Sequence, residues 1–235
     1  MNGKIFLIPV TLGGNNFRQV VPEEVIKLTA SLRFFIVEDI RSARRYLRLI
    51  DKTFPIEESV FFELNEHTSD SEISSLLEPV MNGNDIGLMS EAGLPGIADP
   101  GVTLLKAAHS RDIKIVPQSG PSSIILAIIA SGMNGQNFTF NGYLPIKPAE
   151  RDARLREIES RSKTGEAQIF METPYRAQKM FESILSVCNT NTKLCVAADI
   201  TLPTEFIRTK RISDWKKETL SLNDRLIIFI IQAGK

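Results

Sequence analysis

The chain has 235 residues, 43% of them hydrophobic, which is enough for one large or two smaller α/β domains with their own cores, and we favour two. Its 28 Lys and Arg balance 28 Asp and Glu, so the formal net charge is zero. This balance excludes the global basic signature of a general nucleic-acid binder, although a local basic patch remains possible.

Cysteine, histidine and hydropathy patterns exclude further classes. Cys188 and Cys195 flank a predicted helix-to-strand turn, so we expect free buried thiols. With His67 and His109 as the only histidines, no set has zinc-ligand spacing and a hydrolase triad lacks support. The N-terminal apolar run is too short for a signal peptide and no 18-residue apolar stretch exists, so we expect a cytosolic protein without a metal.

Apolar, β-branched runs alternate with helical stretches in the first half of the chain. Strands are predicted at KIFLIPV (4–10), RFFIVED (33–39), SVFFEL (59–64), DIGLMS (85–90) and DIKIV (112–116), with helices at 22–31, 40–51, 70–82 and 99–110. This alternation favours βα units and a mostly parallel sheet. The break VPQSGPSS (116–123) suggests a boundary between an N-terminal domain, 1–117, and a C-terminal domain, 118–235.

The second half continues the alternation until its last two strands. SIILAIIASGM (123–133) is predicted as a buried helix, followed by FTFNGYL (138–144), a helix at 148–162, EAQIFME (166–172), a helix at 175–187 and KLCVAADI (193–200). TEFIRTKRI (204–212) and DRLIIFIIQ (224–232) have a short polar connection. We therefore predict that they pair antiparallel and close a mixed second sheet.

The segment SEAGLPGIADPG (90–101) has three glycines, two prolines and two carboxylates. One interpretation is helix capping, with Asp99 as the N-cap before Pro100 and Thr173 in the same role before Pro174. Capping does not explain Gly93, Pro95 and Gly96, whereas a ligand that approaches the backbone would. SGPSS (119–123) offers helix N-terminal N–H groups for an anionic group, but no phosphate-binding or dinucleotide-binding signature is present.

Seven ordered segments carry a family resemblance: LIPVTLGGN, VEDIRSARRYL, NEH (65–67), SEAGLPGIADPG, SGPSS, FNGYLPIKP and METPYR. Together they resemble the ribosomal small-subunit RNA 2'-O-methyltransferase I family of the tetrapyrrole methylase superfamily. The resemblance implies two α/β domains of the tetrapyrrole methylase type, with S-adenosylmethionine in a cleft between them, and a homodimer. It also implies methylation of a ribose hydroxyl in small-subunit ribosomal RNA.

The same resemblance suggests site residues. The implied cofactor-binding positions are Pro9, Ser90, Glu91, Ala92, Gly93, Pro95, Pro121, Ser122, Ser123, Asn141, Tyr143, Thr173 and Pro174. A carboxylate near the acceptor could act as base or orient the hydroxyl, and the candidates are Glu38, Asp39, Glu91 and Asp99. Of these, Asp39 and Asp99 best match the family's motifs.

An arginine stripe is the candidate RNA contact. Arg41, Arg44, Arg45 and Arg48 share one side of a predicted amphipathic helix. The stripe is either a solvated face or a phosphate-binding surface. The chain departs from the family at AADITLPTEF (197–206), at VTLGGN, at Glu91 in place of aspartate, and in lacking the usual C-terminal extension. Two alternatives therefore stay open: a tetrapyrrole or other small acceptor, and a non-catalytic module that binds cofactor or RNA.

Overall fold

The computed structural model describes residues 2–65 and 68–234. Glu66 and His67 of the NEH segment lie outside the described residues. The chain folds as two units, Met1–Ser122 and Ser123–Lys235, whereas the sequence break suggested a domain boundary after residue 117. Within the described ranges, no helix combines the length and hydrophobicity needed to cross a bilayer.

The first unit alternates strands and helices. In chain order its elements are β1 (Lys4–Ile8), α1 (Glu23–Ser31), β2 (Phe34–Val37), α2 (Ile40–Ile50), β3 (Val60–Glu63), α3 (Asp70–Leu76), α4 (Glu78–Met81), β4 (Ile86–Met89), α5 (Gly101–His109) and β5 (Lys114–Pro117). Short 3-10 turns occupy Phe17–Gln19 and Ile56–Glu58. The predicted helix at 70–82 is therefore two helices, because Pro79 has no N–H to donate to the preceding turn.

All five strands of the first unit are parallel, in the order β3-β2-β4-β1-β5, which confirms the predicted parallel sheet. Alternate side chains of β1 enter different cores. Phe6 and Ile8 pack with α1 and α2, while Ile5 packs on the opposite face with α3, α4 and α5. Both faces are covered, as the near-continuous apolar strands require.

The strand order places a crevice at the carboxyl ends of two inner strands of this sheet, β1 and β4. The chain leaves β1 through α1 toward β2 on one side, and leaves the adjacent β4 through α5 toward β5 on the other. α1 and α5 also cover opposite faces. Connections that diverge from neighbouring parallel strands leave a crevice at their carboxyl ends, where α/β proteins bind ligands.

The second unit has a mixed sheet. Its elements are α6 (Ser123–Ser131), β6 (Phe138–Tyr143), α7 (Pro148–Ser162), β7 (Ala167–Glu172), a 3-10 turn (Pro174–Arg176), α8 (Ala177–Val187), β8 (Lys193–Ala198), β9 (Phe206–Arg211), α9 (Ile212–Trp215) and β10 (Ile227–Gln232). A core of α7, α8 and α9 side chains covers one face around Phe170, Val196 and Phe229. The segment predicted as a buried helix is α6, which packs against β8, β9 and β10. The helix is confirmed but its full burial is wrong, because Ile125 and Ile129 are exposed on its other face.

The predicted pairing of the last two strands is wrong. The sheet order is β6-β7-β10-β8-β9, so β10 lies between β7 and β8, and β9 pairs with β8 alone. The sequences explain this. The run IIFIIQ is buried on both faces, which favours a central strand, whereas FIRTKR keeps its charged side chains at an edge.

The prediction of free buried thiols is confirmed. Cys188 ends α8 and Cys195 lies on β8; both are buried and neither is in a disulfide. Burial raises the pKa of the Cys188 thiol to about 12 and also raises that of Cys195. Both thiols therefore behave as core side chains.

Candidate functional site

The irregular backbone of residues 90–101 lies at the crevice described above. Gly93 and Gly96 have φ values of 74° and 88°, and Ala98 has a φ of 57°, in the left-handed region that favours glycine. The carbonyl of Gly93 accepts a 2.9 Å hydrogen bond from the N–H of Val10, just beyond β1. The glycines therefore let the loop after β4 fold back against the loop after β1.

Asp99 organises this loop. Its Oδ2 accepts the N–H of Gly96 at 2.7 Å and its Oδ1 accepts the N–H of Gly101 at 2.9 Å. Gly101 is the first residue of α5, so the capping interpretation describes what the side chain does, although Pro100 occupies the N-cap position itself. Burial raises the pKa of Asp99. Both of its oxygens are bound to the main chain, and its predicted catalytic role stays a prediction.

Glu38 links the end of β2 to the same loop. Its Oε2 accepts the N–H of Glu91 at 2.8 Å, a contact between residues 53 positions apart. Burial is the largest cause that raises the pKa of Glu38, and the charges of Asp99 and Glu91 raise it further. Three carboxylates therefore gather where the ends of β2 and β4 meet.

The raised pKa of Glu38 makes stability depend on pH. Since the folded state binds the proton more tightly than the unfolded chain, the free energy of unfolding should fall as pH rises above the ordinary value of 4.5. Glu38→Gln keeps an acceptor for the Glu91 N–H and removes the titration. We expect the variant to gain stability relative to the parent as the pH rises above 4.5, as measured by urea unfolding. A difference that stays constant over this range would contradict the prediction.

The loop after β5 also packs into the crevice. A Cβ on Gly120 would lie 2.1 Å from Pro9 Cβ, so the backbone of residue 120 touches the proline ring directly. Tyr46 of α2 donates its hydroxyl hydrogen to the Pro9 carbonyl at 3.0 Å. A Cβ on Gly93 would lie 3.3 Å from the Pro121 carbonyl. The structure thus brings Pro9, Gly93 and Pro121 together.

Gly120→Ala should destabilise the first unit by about 1–3 kcal/mol, because the methyl group overlaps the rigid proline ring. Chemical denaturation measures this loss. Gly135→Ala is the matched control, since its Cβ would meet no described atom within 4 Å, and we expect it to be neutral or stabilising by less than about 1 kcal/mol. Equal stabilities of the two variants would contradict the contact between Gly120 and Pro9.

A groove of about 550 Å³ opens beside the crevice. The loop after β1, one face of α2 and the end of β4 line it. The lining includes Val10, Thr11, Arg45, Tyr46, Arg48, Ser90 and Glu91. Its walls combine apolar surface with two arginines and one carboxylate. Sequence reasoning missed Thr11 and Tyr46. The one available signal was the place of Tyr46 on the apolar side of the amphipathic helix.

The four predicted substrate-binding arginines have different surroundings. All four are exposed on α2, but only Arg45 and Arg48 line the groove. The Arg44 guanidinium lies over the Phe61 ring, 5.2 Å from its centroid. The structure thus separates one arginine pair that faces the groove from a pair, Arg41 and Arg44, that does not line it.

Asp39 is the N-cap of α2. Its Oδ1 accepts the N–H of Ser42 at 2.7 Å, and the hydrogen bonds from Ser42 are the main cause that lowers its pKa. A lowered pKa makes a carboxylate a weaker base. The predicted role of Asp39 as base therefore has no support from its geometry, which is that of a helix cap.

In the second unit, Asn141 lies in an irregular part of β6. Its side-chain N–H groups donate to the carbonyl of Thr139 and the Gln168 side chain at 3.2 and 3.1 Å, and its Oδ1 accepts from Arg154 at 2.9 Å. The register with β7 shifts between Phe140 and Tyr143. Asn141 thus holds a bulge, and its predicted cofactor contact stays a prediction.

Thr173 and Pro174 follow β7 beside a buried ion pair that sequence reasoning missed. The Glu172 side chain is 2% exposed and contacts Arg176 Nη2 at 2.5 Å. Glu172 Oε1 also accepts the N–H of Thr173 at 2.7 Å. The only available signal was the acid–base spacing of four residues within METPYR. This pair fixes the loop and presents Tyr175, which is 74% exposed.

The remaining predicted cofactor positions lie in the same loops. Ser90 donates its hydroxyl hydrogen to the Ala92 carbonyl at 3.3 Å, and Pro95 is buried. Pro121 and Ser122 end the first unit, while Ser123 begins α6. Among the described residues, no group of three or more His, Cys, Asp or Glu side chains could hold a metal ion.

The comparisons with known proteins agree with this architecture. Residues 25–215 match the family model for tetrapyrrole (corrin/porphyrin) methylases. A Vibrio cholerae protein named ribosomal RNA small subunit methyltransferase I is 30% identical over 87% of this chain and 67% of its own length. The Escherichia coli protein of that name is 26% identical over 99% of this chain and 79% of its own.

Two solved structures share the fold. The crystal structure of the methyltransferase CobJ has a TM-score of 0.65 at 17% identity and covers 99% of this chain and 95% of its own. Uroporphyrin-III-C-methyltransferase from Thermus thermophilus has a TM-score of 0.58 at 14% identity, covering 99% and 93%. The predicted two-domain α/β fold class is confirmed. The chain belongs to the tetrapyrrole methylase family, among the relatives of ribosomal RNA small subunit methyltransferase I, and is a methyltransferase.

Proposed function

We propose that the protein transfers the methyl group of S-adenosylmethionine to a ribose 2'-hydroxyl in small-subunit ribosomal RNA. The observation that carries the proposal is the groove in which Arg45 and Arg48 stand beside the loop after β4. Arginine forks suit phosphate oxygens, and the names of the relatives point to the same substrate. A net charge of zero is compatible with this, because the positive charge is local.

The loop cluster suits a cationic donor. Asp99 brings negative charge to the loop that we propose to hold a sulfonium compound, which carries positive charge. Glycine at positions 93 and 120 lets the loops after β1, β4 and β5 pack closely against one another. When bound, S-adenosylmethionine supplies an activated methyl group, so the protein mainly has to bind and align the two reactants. Pro9, Ser90, Ala92, Gly93, Pro95 and Pro121 are the residues that we propose to hold it in the first unit.

In the second unit we propose Tyr143 at the end of β6, Thr173 and Pro174 after β7, and Ser123 at the start of α6 as cofactor-binding residues. Ser122, at the end of the first unit, is proposed as well. The buried pair of Glu172 and Arg176 supports this, because it holds Thr173 in place through the main chain. Preorganised loops lose less entropy when a ligand binds.

Two measurements test the proposed function. Titration calorimetry with S-adenosylmethionine measures donor binding, and an α/β protein without this role would show no heat of binding. Formation of S-adenosylhomocysteine is then followed with unmodified small ribosomal subunits and, separately, with a panel of porphyrinoids. We expect turnover with the subunits only, with the product ribose resistant to alkaline cleavage of its 3' phosphodiester. Turnover with a porphyrinoid alone, or binding without turnover on either acceptor, would contradict the proposal.

We also propose that the protein acts as a homodimer, which the family resemblance implies. Sedimentation equilibrium on the full chain measures its mass directly. A mass near the 26.2 kDa of one chain at micromolar concentration would contradict the dimer without affecting the proposed chemistry.

A further inference from the structure

Four carboxylates lie near the ends of β2 and β4, and their oxygens differ in what they bind. Asp39 caps α2 through the N–H of Ser42. Asp99 uses both oxygens on main-chain N–H groups of its own loop. Carboxylate oxygens that already accept main-chain N–H groups stabilise the backbone and have fewer lone pairs free for an acceptor hydroxyl. These two residues, which best match the family's motifs, are therefore the two most committed to structure.

Glu38 is occupied differently. It is half-buried, does not line the groove, and accepts the N–H of Glu91 at 2.8 Å. This hydrogen bond fixes the main chain of residue 91 relative to the end of β2. A side chain that anchors the backbone of its neighbour restricts where that neighbour's own side chain can reach.

Glu91 is the carboxylate that remains. It is exposed, and it lines the groove together with Arg45 and Arg48. In the part of the chain that the structure describes, its side chain makes no hydrogen bond or ion pair; only its main-chain N–H is engaged, by Glu38. An acceptor that enters the groove would therefore meet one carboxylate with both oxygens available and two cations.

We propose that Glu91 is the catalytic carboxylate that binds the acceptor hydroxyl and takes its proton, and that Glu38 is a positioning residue that holds Glu91 through its N–H. The inference rests on the proposed function and deepens it, since it assigns Glu91 to the acceptor and not to the cofactor. Arg45 and Arg48 would bind the phosphates that flank the same ribose.

The step is balanced as follows. The acceptor oxygen forms a bond to the methyl carbon while the bond from that carbon to sulfur breaks, and its electron pair stays on sulfur. The hydroxyl proton moves to the Glu91 carboxylate and then to water, which regenerates the enzyme. No other reactant is needed.

Glutamine substitutions separate the two roles. Glu91→Gln should lower kcat for RNA methylation by about 100-fold or more, as expected when a general base is lost. S-adenosylmethionine affinity, measured by calorimetry, should change by less than about threefold. RNA should bind as tightly or more tightly, because a negative charge leaves the arginine groove. A merely structural defect would instead weaken the binding of both S-adenosylmethionine and RNA.

Glu38 variants test the positioning role. Glu38→Gln still accepts the Glu91 N–H, so its kcat should fall by less than about threefold, whereas Glu38→Leu cannot accept it and should lose about tenfold or more. Glu58→Gln, an exposed glutamate of the first unit outside the groove, serves as the matched control for loss of one negative charge.

The outcomes are distinguishable. An active parent whose Glu91→Gln variant keeps turnover within about threefold overturns the inference alone, as does a Glu38→Gln variant as impaired as Glu91→Gln. If Glu91→Gln weakens donor binding and leaves kcat unchanged, Glu91 contacts the cofactor and not the acceptor. A parent that binds donor but never methylates RNA overturns the proposed function, and this inference with it.

Discussion

Charge reversal at Arg45 and Arg48 should weaken RNA binding by about 100-fold at physiological salt, because two cations that line the groove become anions. Binding of S-adenosylmethionine should change little, since neither side chain belongs to the proposed donor contacts. The dependence of the affinity on salt should also become shallower, as expected when phosphate contacts are lost. Fluorescence anisotropy with a labelled fragment of small-subunit RNA, over a range of salt concentrations, measures both effects.

The same helix supplies the control. Arg41→Glu with Arg44→Glu makes the same change in net charge on α2, but these side chains do not line the groove and the Arg44 guanidinium lies over Phe61. We expect a clearly smaller loss of affinity from this pair. Arg48 also donates to the Lys52 carbonyl at 2.8 Å, so thermal unfolding must show that both double variants are folded. If the two double variants lose equal RNA affinity, α2 contributes only a general positive electrostatic field and no specific phosphate contacts.

Asp199→Ala should destabilise the second unit by about 3–5 kcal/mol, since it removes one partner of a mostly buried ion pair. Asp199 directly follows β8 and is 8% exposed. Its Oδ2 accepts from Arg225 Nε at 2.8 Å and from the Thr204 hydroxyl at 3.0 Å, and its Oδ1 accepts the N–H of Leu226. Alanine would leave the Arg225 Nε–H and the Leu226 N–H without their acceptor, while Arg225 Nη2 would keep the Thr204 carbonyl. Urea unfolding followed by Trp215 fluorescence measures the loss in this unit.

The backbone contributes a second term, which a control can isolate. Asp199 has a φ of 51°, and the exposed Asp224 has a φ of 57°, a region that alanine disfavours by about 1–2 kcal/mol. Asp224→Ala should therefore show the conformational cost without the loss of an ion pair. If both substitutions destabilise equally, the network around Asp199 contributes nothing beyond backbone strain. A large difference would show that the divergent segment AADITLPTEF is an ordered structural turn.

The loops that we propose as the site could be singled out from sequence, but their carboxylates could not be told apart. The glycines of residues 90–101 indicated a backbone that another group approaches closely. The left-handed φ values of Gly93 and Gly96 account for glycine at these two positions. The arginine stripe on α2 was visible from helical spacing. Which arginines face the groove was not, because a helical pattern specifies a side and leaves open what the neighbouring loops place against it.

Local pattern determined most of the fold of this protein. The apolar runs predicted the central strands, and the alternation of runs and helical stretches predicted the parallel first sheet, because side-chain periodicity follows from backbone geometry alone. Strand neighbours in the second sheet needed the tertiary structure: a short connection favoured pairing β9 with β10, while burial on both faces placed β10 between β7 and β8. The hydrogen bond from Glu91 to Glu38 likewise joins residues 53 positions apart. Such a partner is chosen by how packed elements meet, and no local pattern contains that information.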